Sequence, residues 1–386
     1  MEWWQIVIGV VVGLLLLTVL VILHELGHAI AARKSGVEVE EFGIGFPPRA
    51  RILGKYKGTL ITLNWLLPIG GFCRMKGESD AAKSKGSYGA ASYGRKSAIL
   101  FAGVAVNFVT AALIFTVLSL FGLPKIASDQ FAIPVDNYGQ SGIVAVASVT
   151  SDSPAERAGL RVGDEIVSIN GQAIEISAQV PEITQASAGT EIPIKIQRNG
   201  EAKQLTATLN AENTGQGYLG IGSAQAQAAT IRATWSAPIV GVVNTVQFAG
   251  LTLNGLGGLV VNFASGIAGS FAPDAATREQ AGANLSTAGD SVAGPIGILG
   301  VIFPNAMMAG ATQLAFITGI ISLTLAIMNI LPIPGLDGGR WLLTTIFRII
   351  RRPLTEEVEG TINGIGMMLL FGLIIVITVA DVLKLW

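Results

Sequence analysis

Two histidines and a glutamate near the start of the chain have the spacing needed for metal chemistry. His24 and His28 are four residues apart, and Glu25 lies between them. At about 100° per residue, this spacing puts both imidazoles on one face of a helix, one turn apart, with the carboxylate beside them. Such a pair can bind zinc while the glutamate acts on the bound water. The chain has only 2 histidines, and both lie here.

The residues around this motif predict a helix inside a membrane. An apolar run extends from Ile6 to Ala32, so the motif sits within it. Ionisable side chains in such a run are costly and are usually functional. The alternative is a pair of satisfied polar residues with no metal, and the cost of burying them favours the metal.

Composition limits the class of protein. The 386 residues are 51% hydrophobic and 13% charged, and the mean hydropathy is +0.58, which is typical of a polytopic membrane protein. A net charge of −1 gives no reason to expect a nucleic-acid partner. The single cysteine, Cys73, excludes an internal disulfide and a cysteine-rich metal site.

Apolar stretches predict a helical membrane protein with about four transmembrane helices. Four stretches have the length and composition of a spanning helix: 5–32, 97–122, 312–332 and 361–384. A fifth stretch, 236–263, is apolar but contains asparagine, glutamine and several glycines.

Basic residues set the predicted orientation. The segment 33–96 holds 12 of the 25 lysines and arginines and 340–352 holds 4, whereas the long segment 123–311 holds only 8. Because basic loops stay in the cytoplasm, we expect 33–96 and 340–352 inside, and the long insertion and both termini outside. If 236–263 crossed the membrane, the next span would run the wrong way. We therefore predict a helix on the outer membrane surface there, with an ordinary span as the alternative.

The first cytoplasmic segment predicts a membrane-associated β-element at about 42–75. Strand-like runs at 42–46 and 58–65 are followed by an apolar turn at 66–72. Non-helical backbone at membrane depth is tolerated only where protein or water covers it. A free strand edge there could bind an extended peptide by strand addition. The alternative is a cytoplasmic hairpin with no substrate role.

The outer insertion predicts a small β-rich domain at about 140–222. Ser153 followed by Pro154 is typical of a helix start, and Gly159 is typical of its end. Asn170-Gly171 and Asn199-Gly200 are hairpin signals between strand-like runs.

A catalytic zinc site needs a third protein ligand and one open position. Asp337 is the best candidate, because it is the only acid between Asp290 and Glu356 and lies level with the histidines in the predicted topology. The alternative is a turn residue before two glycines. A bound zinc ion would lower the pKa of water to about 7, and Glu25 would accept its proton during attack on a peptide bond. A substrate at this depth would be a transmembrane helix that must unwind locally.

Several motifs together resemble the site-2 proteases, of the bacterial regulator-of-sigma-E (RseP-like) type, which are zinc enzymes of regulated intramembrane proteolysis. These motifs are the histidine motif in the first span, the Asn329 to Gly339 segment after the third, and a PDZ signature between them. The resemblance covers nearly the whole chain. It implies a metalloprotease core at 1–122 and 290–386, with one Zn²⁺ per chain on His24, His28 and Asp337, and Glu25 as the catalytic residue.

The resemblance also implies substrate-binding residues. Asn329 matches a family asparagine, Pro332 and Pro334 match the prolines beside it, and 42–75 matches a membrane-dipping β-element that ends in Pro-x-Gly-Gly-Phe. In the second span Asn107 matches a family Gly-Pro-x-x-Asn motif in which Val104 replaces the proline. The substrate-binding residues implied in this way are Asn329, Pro332, Pro334, Asn107, Gly70 and Gly71.

The insertion resembles one circularly permuted PDZ domain, whereas the type member of the family has two in tandem. Its loop at Tyr218, Leu219 and Gly220 is similar to one that binds a peptide carboxylate. The resemblance thus implies an extracytoplasmic PDZ domain that either binds a substrate C-terminus or only excludes bulky ectodomains. It also implies a multi-pass protein of the bacterial cytoplasmic membrane whose active site faces the cytoplasm.

Expected substrates are membrane-anchored regulators such as anti-sigma factors, with the lipid bilayer as the other partner. Two alternatives use the same chemistry: clearance of signal-peptide remnants and maturation of peptide pheromones. A non-proteolytic PDZ scaffold would have no use for the histidines and the acid. A zinc transporter would need further ionisable residues along the second and fourth spans, but the second has none and the fourth has only Asp381 and Lys384, near its end.

Overall fold

The computed structural model describes residues 2–213, 217–227, 229–290 and 293–385. The chain forms two compact units, 1–114 together with 245–386, and 115–244. We call the first the core unit and the second the insert unit. The elements of the N-terminal part, in order, are α1 Trp3–Lys34, β1 Val39–Tyr56, β2 Thr59–Met75, α2 Tyr93–Phe121 and β3 Leu123–Pro124.

The insert unit contains most of the strands. Its remaining elements are β4 Ile143–Val149, α3 Pro154–Ala158, β5 Glu165–Ile169, β6 Gln172–Ala173, α4 Gln179–Ala186, β7 Glu191–Arg198, β8 Glu201–Thr208, β9 Ile221–Gln227 and β10 Thr230–Ile231. The C-terminal part is helical: α5 Ala237–Ser270, α6 Ala275–Asp290, α7 Pro295–Gly297, a π-helical turn Ile298–Ile302, α8 Phe303–Met308, α9 Ala311–Ile330, α10 Asp337–Ile349 and α11 Glu356–Leu385.

Five of the described helices, α1, α2, α5, α9 and α11, are long and apolar enough to cross a membrane. Four of them match the predicted spans, although α2 ends at Phe121 and α9 at Ile330, one and two residues before the predicted ends. The fifth, α5, covers all but the first residue of the 236–263 stretch and extends to Ser270. Length and composition do not distinguish a surface helix from a spanning one, so its placement on the membrane surface stays a prediction.

The β-element is a small sheet rather than a simple hairpin. Residues 39–44 of β1 pair on one side with Gly71–Met75 and on the other with Leu60–Leu63, so that Glu41 faces both Arg74 and Leu60. The sheet order is therefore 49–56, 59–64, 39–46 and 71–75. Between residues 64 and 71 the chain of β2 reverses its direction and folds back along β1, so the predicted turn at 66–72 contains this reversal, although Gly71 and Phe72 already pair with β1.

A buried carboxylate holds this sheet together. Glu41 accepts hydrogen bonds from Thr62 Oγ1 at 2.8 Å and from an Arg49 guanidinium nitrogen at 2.7 Å, and Arg74 lies 2.8 Å from its other oxygen. Burial by itself would raise the pKa of Glu41, but these bonds and the two positive charges hold it below its ordinary value. Strand 71–75 and α1 then share an apolar core with the start of α2, and this core includes Ala32 and Ile99.

The insert unit is built on a six-stranded sheet. Its antiparallel strands follow the order β8-β7-β5-β4-β9, and β6 pairs with β5. Predicted turns are confirmed: Ser153 Oγ caps α3, Gly159 ends it with φ of 84°, and Asn170-Gly171 is left-handed at both residues. The sheet includes β9, which pairs with β4 and extends to Gln227, beyond the predicted domain end at 222.

An ion pair fixes two strands of this sheet. Arg198 in β7 donates to both carboxylate oxygens of Asp164, at 2.5 and 2.7 Å. Asp164 is only 1% exposed. Burial raises the pKa of Asp164, but the bonds and charge of Arg198 outweigh this effect and the pKa falls below its ordinary value.

Candidate active site

Three side chains from two distant helices converge in the core unit. His24 and His28 lie one turn apart on α1, and their Nε2 atoms are 3.1 Å from each other. Asp337, the first residue of α10, places Oδ2 3.2 Å from Nε2 of His24 and 3.3 Å from Nε2 of His28. One donor atom from each residue therefore lies within 4.8 Å of the others.

Hydrogen bonds orient the two imidazoles. Nδ1 of His28 is 2.8 Å from the carbonyl oxygen of Ile99, which can only accept, so the proton of a neutral ring sits on Nδ1 and the lone pair of Nε2 faces Asp337. On His24, Nδ1 is 3.4 Å from the side-chain amide of Asn107. The other amide atom of Asn107, Oδ1, is buried without a partner among the described residues. Rotating this amide by 180° would pair Oδ1 with an Nδ1 proton on His24.

Asp337 has an unusual environment for a carboxylate. Its Oδ2 is buried and forms no well-aligned hydrogen bond with any described residue, although two imidazole nitrogens lie nearby. Burying an acceptor without a partner is costly. Two Nε2 lone pairs and one carboxylate oxygen are the donor set of a catalytic zinc site, so these residues fit a zinc ion. Such an ion would also supply the missing partner of Oδ2.

Glu25 points into the same space. It lines a cavity of about 480 Å³ together with His24, His28 and Asp337. The backbone N–H of Cys73 lies close to the Glu25 carboxylate. Gly71 is also close, because a Cβ atom built there would be 3.8 Å from Cγ of Glu25. Strand 71–75 of the β-element thus lies directly against the metal-binding face of α1.

The other predicted core residues are distributed around this cavity. Asn329 lines it near the end of α9, and its Nδ2 donates to the carbonyl oxygen of Leu325 at 3.0 Å. Pro332 and Pro334 lie in the loop between α9 and α10, outside the cavity lining. Gly70 packs under the ring of Phe46, at a φ of 150°. The structure thus brings Asn329, Asn107 and Gly71 close to the three converging residues. Gly70, Pro332 and Pro334 do not line the cavity.

The loop predicted to bind a carboxylate lies in the insert unit and is described there alone. Carbonyl oxygens of Tyr218, Leu219 and Gly220 accept hydrogen bonds from the backbone of Asn210, Ala155 and Thr150, each at 3.0 Å. The N–H groups of the same three loop residues have no partner among the residues that the structure describes. The loop leads directly into β9, the edge strand of the sheet.

Two residues of α2 contact the histidines, and only one of them belongs to a motif of the sequence. Gly103 of α2 lies so close that a Cβ atom would be 2.6 Å from Nε2 of His28 and 2.8 Å from Nε2 of His24. Ile99, one turn earlier, supplies the carbonyl oxygen described above. Gly103 is the first residue of the motif that ends in Asn107. No residue type in the sequence indicates that the carbonyl oxygen of Ile99 contacts His28.

A polar cluster fixes the start of α10, which carries Asp337. Arg340, one turn further on, donates to the carbonyl oxygen of Glu78 at 3.1 Å and lies 3.9 Å from Glu359 of α11. Glu359 in turn accepts from the backbone N–H of Asp80 at 2.8 Å, and Asp80 is paired with the buried Lys96. These contacts join α10 to α11, to the start of α2 and to the segment before it.

Known proteins resemble this chain over most of its length. "Putative zinc metalloprotease CPE1693" of Clostridium perfringens is 29% identical over 374 residues, which cover 97% of this chain and 98% of that protein. Zinc metalloprotease RasP of Geobacillus kaustophilus is 25% identical over 445 residues, covering 95% of each chain. A solved PDZ domain of the SdrC-like protein from Listeria innocua is 30% identical, covers 22% of this chain and 94% of that one, and has a TM-score of 0.19.

The apolar helices, the site and the relatives define one class of protein, a membrane zinc metalloendopeptidase. The chain belongs to peptidase family M50, whose sequence profile matches residues 12–373. The predicted resemblance to the site-2 proteases is confirmed by this match.

Proposed function

We propose that this protein is a zinc-dependent intramembrane endopeptidase that cleaves transmembrane segments of membrane-anchored regulators. The observation that carries the proposal is the convergence of His24, His28 and Asp337 beside Glu25, where the two histidines and Glu25 belong to a helix apolar enough to span a membrane. The unpartnered Oδ2 of Asp337 supports a cation at this point, because a buried carboxylate oxygen without a donor is otherwise costly.

In the proposed site, His24, His28 and Asp337 hold one Zn²⁺. The ion would supply Lewis-acid chemistry, acidifying a water molecule and polarising the scissile carbonyl group. Glu25 takes the proton from the attacking water and delivers it to the leaving amine nitrogen. Ile99 holds His28 with its Nε2 lone pair toward the centre, and Asn107 would hold His24 in the same way once its amide is rotated so that Oδ1 accepts from Nδ1, as outer partners of metal-bound histidines commonly do.

Substrate binding would use the β-element. Strand 71–75 pairs with β1 on one side, and no described strand pairs with its other edge. An unwound segment of a transmembrane substrate could add to this edge by backbone hydrogen bonds, within reach of Glu25. Asn329 at the cavity wall, with Pro332 and Pro334 in the loop below it, would hold the segment from the opposite side.

In this proposal the insert unit binds substrate tails outside the cytoplasm. The free N–H groups at Tyr218, Leu219 and Gly220 and the open edge of β9 support binding of a new C-terminal carboxylate. Such a C-terminus arises when another protease has already shortened a membrane-anchored regulator of the anti-sigma-factor type. The proposed location is the bacterial cytoplasmic membrane, with the active site toward the cytoplasm.

The test is a comparison of two site variants with an exposed control. Purified Glu25→Gln should retain zinc but cleave a transmembrane test substrate at least about 10²-fold more slowly, because it lacks the general base. Asp337→Ala should lose bound zinc. Glu40→Gln makes the same chemical change on an exposed carboxylate, and this variant should keep both its zinc and its cleavage rate.

Undiminished cleavage by Glu25→Gln would overturn the proposed mechanism, and unchanged zinc content in Asp337→Ala would remove Asp337 from the site. A protein that binds tails through the insert unit but never cleaves, whatever the residue at position 25, would instead be the non-proteolytic scaffold.

A further inference from the structure

A second cavity lies in the core unit, where α2, α10 and α11 meet. Its volume is about 510 Å³. Its wall includes Tyr93 and Glu356, the first residues of α2 and α11. Both helices are long and apolar enough to span a membrane. The cavity therefore lies where two spans begin, which is the level of lipid headgroups.

The charges around this cavity are unbalanced. Four basic side chains line it: Lys83, Lys96, Arg348 and Arg352. Lys96 is neutralised by its ion pair with Asp80. No ion pair within 4.0 Å joins any of the other three to a carboxylate among the described residues, although Glu356 also lines the wall. An excess of positive charge thus faces a space large enough for a headgroup.

One of these cations is held in place before any ligand arrives. Cζ of Arg348 lies 4.6 Å from the centre of the Tyr93 ring. The hydroxyl of Tyr93 is 2.9 Å from Oγ1 of Thr345, on the same helix as Arg348. A guanidinium group stacked on a fixed ring loses less freedom when it binds an anion, and its planar fork suits phosphate oxygens.

The end of α10 also carries exposed aliphatic side chains, on other faces of the helix than Arg348. Ile346, Ile349 and Ile350 are 43%, 73% and 51% exposed. Exposed isoleucines next to arginines are costly in water but suit the boundary between headgroups and acyl chains.

We propose that this cavity binds the phosphate headgroup of an anionic phospholipid. Lys83, Arg348 and Arg352 would contact the phosphate. Free inorganic phosphate shares the charge, but the place of the cavity at the start of two helices long enough to span a membrane favours the lipid. Basic pockets at the ends of transmembrane helices bind anionic lipids in this way. The site is separate from the zinc-binding residues and does not depend on protease activity.

The test measures lipid binding by the purified full chain in detergent, using native mass spectrometry. Phosphatidylglycerol is compared with phosphatidylcholine and with inorganic phosphate. Wild-type protein should retain phosphatidylglycerol in preference to phosphatidylcholine. Removing two charges, in the double variant Arg348→Gln with Arg352→Gln, should weaken phosphatidylglycerol binding by about thirtyfold.

Two further variants keep this test decisive. Lys195→Gln with Lys203→Gln removes the same charge from exposed strands of the insert unit and should leave binding unchanged. Arg348→Lys with Arg352→Lys keeps the charge but loses the stacked planar fork, so it should bind phosphatidylglycerol more tightly than the glutamine variant and less tightly than the wild type, which separates loss of charge from misfolding. Equal retention of the two lipids, an equal loss in the insert-unit variant, or full occupancy by inorganic phosphate alone would each overturn the proposal.

Discussion

Replacing Gly103 by alanine should weaken zinc binding without touching a metal ligand. A Cβ atom at this position would lie 2.6 Å from Nε2 of His28, 2.7 Å from Cε1 of His24 and 2.8 Å from Nε2 of His24. Ordinary van der Waals contact begins at 3.4 Å, so at least one imidazole must retreat by about 0.8 Å. The rings cannot retreat freely, because Ile99 and Asn107 hold their other nitrogens.

The size of the effect follows from that displacement. Loss of an outer partner of a metal-bound histidine typically costs about 10–100-fold in metal affinity, and a misplacement near 1 Å costs about 10²-fold in rate. We therefore expect the zinc dissociation constant of Gly103→Ala to rise by about 10- to 100-fold. Overpacking should also lower the free energy of unfolding, by about 1–3 kcal/mol.

Zinc competition with a coloured chelator, on detergent-purified protein, measures this change. Gly94→Ala is the matched control, since Gly94 lies on the same helix with nothing within 4 Å of an added Cβ atom. It should bind zinc like the wild type. An unchanged zinc dissociation constant in Gly103→Ala would refute this prediction, because the imidazole nitrogens of His24 and His28 would then not be the atoms that bind the metal. Thermal unfolding of the zinc-free variant separates a misplaced site from general unfolding.

Three further predictions concern residues that are not proposed to bind the metal or to act on the attacking water. Glu359→Gln weakens the buried polar cluster and should lower the free energy of unfolding by about 2 kcal/mol. Glu357 is exposed on the same helix, so Glu357→Gln should leave this free energy unchanged. Thermal unfolding measures both variants. The pKa of Asp164 is lowered, so its stabilising pairing with Arg198 is complete above the unfolded pKa of about 3.9 and is lost as the pH falls. Unfolding curves between about pH 6 and pH 3 should show this loss of stability. The Asp164→Asn variant should show a smaller loss. Burial, followed by nearby negative charge, raises the pKa of Cys73 to about 12, so iodoacetamide at about pH 8 should modify this thiol only after unfolding, and rapid labelling of the native protein would contradict its burial.

Local rules account for what the sequence determined by itself. The spacing of His24 and His28 requires only helical periodicity, and the turns at Gly159 and Asn170 require only backbone conformations that those residues tolerate. Apolar length predicted the membrane helices in the same way. Asp337 was found because few acids exist in that part of the chain and the topology matched its depth to that of the histidines.

Contacts between distant segments were decided by the tertiary structure alone. The carbonyl oxygen of Ile99 and the close approach of Gly103 depend on how α2 packs against α1, and no residue type announces either contact. The contact of strand 71–75 with Glu25 depends on β2 folding back along β1. The apolar residues before this strand do not indicate which strand it pairs with. Sequence periodicity is set by each residue's neighbours in the chain, whereas these contacts are set by the close packing of whole elements. The sequence therefore predicted which residues could bind a metal, but it did not predict the neighbouring groups that orient their side chains.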